Sequence, residues 1–328
     1  MSSPAIGALS YFQFGRESTW GTGVAATKRL PFVRHSIRPV MKQVRSQLLD
    51  NSYLRGNIFN VNERAEGQLE TYLSYNDHLM LLDCAFGTAT FGASGGSTTG
   101  AGPYTHVFVD SVEFHNSLTL QLIQGNIPAG KCQTVTGAKI VGFTIRAEAA
   151  GIVHVIYDIV GQRMLLNQTP TGGLSSNALS LVHTGHGSSC VDGSGDGAGT
   201  DFIMDRCEIT FRNGVAPRER VSSAFIFEPI RGGFSVTTMK FRKEFRTELS
   251  LSEYLAGNNQ EPFVRFTSGA SAFIDFEMDS GKLVDVKSGV DDEGIIFLET
   301  EVESIKTAGS PEFGLRVTVV NSQATIIT

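Results

Sequence analysis

Three clusters in this sequence have residue types and spacings that chemistry can use. Gly92-Ala-Ser94-Gly-Gly96 fits the nucleophile-elbow pattern, in which a sharp strand-to-helix turn presents a serine to a histidine base. It lies inside a Gly/Ser/Thr run where such matches arise cheaply, and no helix signal follows it. His183, His186 and Cys190 carry zinc-type ligands at short spacing, but a tetrahedral site needs a fuller shell and no second pair is evident. Asp192-Gly-Ser-Gly-Asp196-Gly resembles the start of a calcium loop, with Asp201 a further oxygen ligand. The bidentate glutamate expected at the twelfth position is replaced by Ile203, and Asp/Gly runs are also simply good turns. No phosphate-binding loop, dinucleotide fingerprint, H-E-x-x-H motif or paired-carboxylate spacing occurs. His35, His106 and His154 fall in or beside strands, where histidines are more often packed than catalytic. The expectation is a protein without catalytic residues or a cofactor.

The elements that would have to position such residues are strands. Alternating or β-branched runs occupy 104–109, 118–123, 139–147, 152–160, 202–211, 236–246, 263–267, 272–278, 295–304 and 313–320, separated by Gly, Asn, Asp and Ser. Two short helices are expected. Asn76-Asp77 reads as an Asx cap for 78–86 with Gly87 as a stop, and Ser250-Leu-Ser-Glu253 forms a capping box ahead of Gly257. An alternating strand leads into each helix, at 67–75 and 238–246, and several strands follow each. This order predicts an all-β chain of two tandem β-sandwich units, each flanked by one short helix. The expected units span 1–165 and 201–328, with a Gly/Ser-rich linker at 166–200.

With Lys+Arg 27 and Asp+Glu 33 the net charge is −6, which disfavours tight duplex binding. No stretch approaches the ~20 apolar residues of a membrane-spanning helix, and no signal-peptide pattern opens the chain. Four cysteines without a C-x-x-C pair suggest free thiols and synthesis in a reducing cytoplasm. Charge is uneven. Residues 1–164 hold 13 basic and 11 acidic side chains (+2), and 165–328 hold 14 and 22 (−8). The 18–49 stretch is acid-free, whereas 275–303 holds ten acids against Lys282 and Lys287. Complementary patches on one chain suggest contacts between copies.

Glu17-Ser-Thr-Trp20-Gly21-Thr22, the β segment 30–44, Leu48-Leu-Asp-Asn-Ser, a polar loop over 54–66, the 67–75 strand and the helix ending at Gly87 follow one another in an order that resembles the tail tube (major tail) proteins of long-tailed bacteriophages. The likeness is strongest over 15–163 and looser over 201–328. It implies a self-assembling structural subunit of the virion tail, made in the host cytoplasm. Such subunits form rings whose inner sheets join into a β-barrel, and rings stack into a conduit for the genome. Two-unit chains would close that ring as a trimer with pseudo-sixfold symmetry, single-unit chains as a hexamer, and the duplication favours three. Implied partners are further copies, tape measure and terminator proteins, and genomic DNA passing without specific binding; no membrane is implied.

Within that frame, the arm or loop at about 30–66 is expected to reach the next ring through Arg34, Arg38, Lys42, Arg45 and Arg55. The lumen should be acidic or neutral, because a basic wall would hold passing phosphates. Its candidate residues are the strand acids Glu70, Asp158, Glu244 and Glu248. Two other functions compete: a soluble or virion carbohydrate-binding β-sandwich, with calcium on Asp192, Asp196 and Asp201, and a hydrolase using Ser94.

Overall fold

The computed structural model describes residues 6–45, 58–93, 103–110, 116–125, 131–174, 180–185, 187–192, 200–201, 204–219, 223–245, 249–289, 296–306 and 313–323. Strands dominate. The first part of the chain forms β1 (Ile6–Glu17), β2 (Lys28–Leu30), β3 (Arg34–His35), β4 (Arg38–Arg45), β5 (Ile58–Tyr72), α1 (Leu79–Phe86), β6 (Gly87–Ala93) and β7 (Tyr104–Asp110). There follow β8 (Ser117–Gly125), β9 (Cys132–Glu148), β10 (His154–Gly161), β11 (Arg163–Gln168), β12 (Gly187–Asp192) and β13 (Thr200–Asp201). The rest comprises β14 (Met204–Arg212), β15 (Val215–Arg218), β16 (Phe227–Arg231), β17 (Val236–Glu244), α2 (Leu249–Ala256), β18 (Asn259–Gln260), β19 (Phe263–Gly269), β20 (Ala272–Glu277), β21 (Gly281–Gly289), β22 (Phe297–Ser304) and β23 (Arg316–Asn321).

The large sheet runs β18-β21-β22-β17-β14-β9-β10-β5-β3, and every named strand pair in it is antiparallel. β9 is long enough to serve two layers. Its C-terminal part pairs with β10 and β14, while residues before Lys139 pair with β8 and β11. The strand bends at Gly137, whose φ of 64° belongs to the left-handed region and whose carbonyl accepts the Trp20 indole N–H at 3.0 Å. A second sheet runs β13-β12-β19-β20-β23-β7-β6. The 166–200 stretch expected as a linker thus contributes β12, paired with β19.

One apolar core fills the space between the layers. From the large sheet come Leu69, Ile145, Tyr157, Ile209, Met239 and Val302; from the second, Phe266, Ile274, Phe276, Val317 and Val319. These are every-second-residue positions, as a pleated strand with one wet face requires. All eight residues of α1 are buried. Phe86 at its end stacks on Phe211, with ring centroids 4.6 Å apart, and packs against Phe143 at 5.8 Å. Deleting such a ring typically costs about 3–5 kcal/mol.

The helix starts differ from expectation. His78 occupies the N-cap of α1 and makes no side-chain cap, while Asp77 is engaged by Ser74 in the preceding turn. In α2, Ser250 lies inside the first turn rather than at the cap. Both glycine stops form: Gly87 and Gly257 adopt φ of 83° and 65°.

A buried carboxylate pins the corner where β1 leaves its sheet. Glu17 accepts hydrogen bonds from the Ser117 and Thr119 hydroxyls, both at 2.8 Å, and from the Gly21 and Gly137 backbone N–H groups, both at 2.9 Å. Four donors replace the water the carboxylate loses on burial.

Candidate functional site: the open face and the projecting hairpin

The alternation that sends one set of side chains into the core sends the other to an open face of the large sheet. Along β17 that set is Thr238, Lys240, Arg242 and Glu244; along β22 it is Phe297, Glu299, Glu301 and Glu303. Register places the basic positions of one strand beside acids of its neighbours. Lys240 faces Glu301 on one side and Glu208 on the other, Glu208 faces Arg146, and Arg206 faces Glu148. The side chains use that arrangement. Arg146 Nε lies 2.9 Å from Glu208, Lys240 Nζ 3.1 Å from Glu301, Arg242 Nη1 3.4 Å from Asp205 and Arg206 Nη2 3.5 Å from Glu148. Lys287 is paired with Asp285, which raises the lysine's pKa. A cleft of about 250 Å³ opens on this face, lined by Arg206, Glu208, Lys240, Arg242, Asp285 and Glu301 among others.

Exposed pairs of this kind contribute little stability, about 0–1 kcal/mol each. Their effect is on the field: each of these fixed cations has a carboxylate at contact distance, so it is a poor ligand for a phosphate.

Two of the expected lumen acids, Glu70 and Asp158, stand on the same face. Glu70 is paired with Arg34 and accepts from His154 Nδ1 at 2.9 Å. Burial works to raise its pKa, but the hydrogen bonds and charges of Arg34 and His154 outweigh it and hold the carboxyl below its ordinary range. Asp158 Oδ1 accepts from Gln68 Nε2 at 2.8 Å, and a hollow of about 470 Å³ lies over this part of the sheet. Glu244 is at the end of the row, opposite Phe297. Glu248 lies outside the described residues. Sequence reasoning did not single out Arg146, Arg206, Glu208, Lys240 and Arg242, and it read Glu299 and Glu301 only as part of the acidic 275–303 stretch. Their signal was present in the alternating basic positions of 238–242 and acidic positions of 299–303.

Off the main path of the large sheet, β4 and the outer part of β5 pair as a two-stranded antiparallel ribbon, from Arg38↔Glu66 to Arg45↔Ile58. Asn62, with φ of 65°, is the extra residue of a bulge between Lys42↔Val61 and Met41↔Glu63. Val44 lies opposite Phe59 and Lys42 opposite Val61, so one face of the ribbon carries a mostly apolar stripe. Phe59 is 55% exposed and Val44 47%. The base of the hairpin is braced from the later part of the chain. Glu63 N donates to Ala224 O at 2.7 Å, Ile226 N donates to Glu63 O at 3.2 Å, and Glu219 pairs with Lys42.

Of the cations expected to reach another ring, Arg34 and Lys42 are engaged within the chain, and Arg38 and Arg45 stand exposed on β4. Arg55 lies outside the described residues. So do Ser94, His186 and Asp196. Asp192 and Asp201 stand on β12 and β13, which pair as an antiparallel hairpin. His183 bridges Ile152 through its backbone, and Cys190 pairs with Val264 on β19. Among the described residues no cluster of three or more His, Cys, Asp or Glu could hold a metal, and Cys84, Cys132 and Cys207 are free thiols.

What emerges among the described residues is a broad, internally neutralised charged face, a β21 edge paired only at its start and a partly apolar exposed ribbon, features that suit contacts between copies. Comparison with known proteins agrees. No curated protein matches the chain. The family model of phage tail tube proteins matches residues 7–301. The chain therefore belongs to the phage tail tube protein family, as a non-enzymatic structural subunit of the virion tail.

Proposed function

We propose that three copies of this chain close into one ring of the tube, each contributing two tandem units, and that rings stack into the conduit. The observation that carries this reading is the strand order of the large sheet. After the two-residue β18 at one end it runs β21-β22-β17-β14 and then β9-β10-β5-β3. Each block has the same plan: the strand that leads into a helix (β17, β5) lies between an earlier strand and a later hairpin. Two such blocks per chain fit the expected units 1–165 and 201–328, joined through 166–200.

Three chains would supply 3 × 8 = 24 strands to an inner barrel. At roughly 4.8 Å per strand the backbone circle is about 37 Å across before strand tilt widens it, a bore suited to a duplex. Lateral strand addition would also remove the free edges that make an isolated sheet prone to aggregate. The open face lines the lumen in this arrangement, and its matched charges let DNA pass without being held. The ribbon of β4 and the outer part of β5 supplies contact with the next ring, where its apolar stripe leaves water. The ends of the tube would meet the tape measure and terminator proteins.

Electron microscopy of the purified protein tests this reading. Rings or tubes with a central hole, and end-on class averages with threefold symmetry, are expected. A true sixfold average with six chains per ring overturns the trimer, and a permanent monomer at high concentration overturns the ring.

A further inference from the structure

The proposed ring requires each chain to be joined to the next, and one joint is already built inside the chain. There β9 pairs antiparallel with β14: Ile145 faces Ile209, and Ala147 faces Cys207, all four buried. The same strand covers the end of α1, since Phe211 stacks on Phe86 and Asn213 Nδ2 donates to Ala85 O at 2.9 Å.

The register allows this joint to be carried forward one block. α2 starts 249 − 79 = 170 residues after α1. Arg242 faces Glu299 as Tyr72 faces His154, and Lys240 faces Glu208 as Glu70 faces Arg34. β21 therefore corresponds to β9. Because Glu208 corresponds to Arg34, 208 − 34 = 174, residues 204–212 correspond to 30–38. At the second joint, however, the described residues supply no such cover. Among them, β21 has β18 beside it only at Gly281 and Lys282. Tyr254 and Leu255 correspond to Cys84 and Ala85 of α1; those two are buried, whereas Leu255 is 83% exposed. On the other side, Val33 corresponds to the buried Cys207 yet is 43% exposed.

We propose that residues 32–38 of one copy lie antiparallel along β21 of its neighbour, with Val33 opposite Ser288, and that the exposed Arg38 and Pro39 cover the exposed end of the neighbour's α2. The occupant is a second copy of this chain, because the chain already supplies the matching strand at its own internal joint. Arg34, held by Glu70, arrives opposite Lys287 and diagonal to Asp285, so the new neighbours form a cluster of two cations and two carboxylates.

This inference rests on the ring reading, and the experiment separates the two. Val33 and Ser288 are exposed, so Val33→Cys and Ser288→Cys leave the single chain's core untouched. Directly opposed strand residues have Cα atoms about 4.5–5.5 Å apart, within disulfide range. Mild oxidation of rings formed by the double variant should give covalent dimers and trimers, with a 33–288 linked peptide found by mass spectrometry. Each single variant should give none. Leu255→Asp, at a site exposed in the single chain, should keep the wild-type melting temperature and lose rings. Rings from the double variant without the 33–288 link, or normal tubes from Leu255→Asp, overturn this joint and leave the ring standing. A wild-type chain that never forms rings overturns both.

Discussion

The neutralised face makes a quantitative prediction about DNA. Glu208 holds Arg146 and Glu301 holds Lys240, all four on the open face and partly exposed to solvent. Replacing both acids (Glu208→Gln, Glu301→Gln) leaves two cations per chain without their carboxylates and nearly isosteric amides in place. The pairs are exposed enough that each contributes about 0–1 kcal/mol, so the urea midpoint should move little. Affinity for duplex DNA should respond instead. Each phosphate neutralised adds about 0.9 to the slope of log K against log salt, so two freed cations add about 1.8. Between 200 and 50 mM salt the variant's affinity should then rise about 12-fold more than that of the wild type. Fluorescence anisotropy of a labelled duplex with the unassembled chain, where the face is open, reads this directly. An unchanged slope in the variant, or a wild type that already shows a slope of that size, refutes the argument that cross-strand carboxylates keep the wall from binding phosphate.

Other outcomes follow from the same structure. Glu17→Ala strands two backbone N–H groups and two hydroxyls in a buried corner; at about 1–3 kcal/mol for each group that stays unpaired, a loss of about 2–5 kcal/mol is expected in urea unfolding. His78 is buried, and that burial lowers its pKa to about 4 against the partial opposition of the Tyr72 carbonyl and Asp77. Its Nε2–H donates to Tyr72 O at 3.0 Å, so Nδ1 accepts from the Tyr157 hydroxyl at 2.9 Å. The unfolded chain binds this proton below about pH 6.5 and the folded chain does not until about pH 4, so stability should fall by about 3 kcal/mol as pH drops through that window. His78→Gln should remove this part of the pH slope in melting experiments. Val44→Ser with Phe59→Ser, both at exposed hairpin positions, should leave the chain's melting temperature within a few degrees of wild type while electron microscopy shows rings that no longer stack. Rings should also survive ~1 M salt, where the screening length is about 3 Å; dissolution there would mean that ion pairs, not strand edges, hold copies together.

Legibility in the sequence followed the presence of a buried face. Runs such as Phe297-Leu-Glu-Thr-Glu-Val-Glu alternate because one side meets the core, and these strands were found to within a few residues. The outer part of β5 was read as a polar loop over 54–66 because its hairpin is exposed on both faces, which erases the period of two. β6 was hidden in a Gly/Thr/Ala run of low complexity, and β1 by glycine and polar residues interleaved with its aromatics. The glycine stops were legible because a left-handed residue after a helix is strongly selected for glycine. The helix starts were not: α1 begins at a fully buried segment behind His78 rather than at an Asp77 cap, and Ser250 falls inside α2 rather than before it. At the candidate wall, Glu70 and Asp158 could be placed on strands, but their partners depend on register between segments as far apart as 146 and 208. No local pattern encodes that register.

The charge asymmetry of the sequence suggested that a basic 18–49 stretch meets an acidic 275–303 stretch across copies. The structure weakens charge as the reason for such a contact, since much of the charge is already satisfied at home. Arg34 is held by Glu70, Lys42 by Glu219, Glu301 by Lys240 and Asp285 by Lys287, while Asp275 and Glu277 are taken by Arg265 and Arg316 on the second sheet. Among the described residues, what remains unsatisfied in the single chain is of another kind: the β21 edge beyond Lys282, the end of α2 at Leu255 and the apolar stripe of Val44 and Phe59. Backbone hydrogen bonds and apolar burial are short-ranged and indifferent to salt, whereas exposed ion pairs are individually weak and screened. A tube that must stay shut around a highly charged polymer gains from that division, with its charges balanced within each chain and its joints made from groups that the polymer's field does not pull apart.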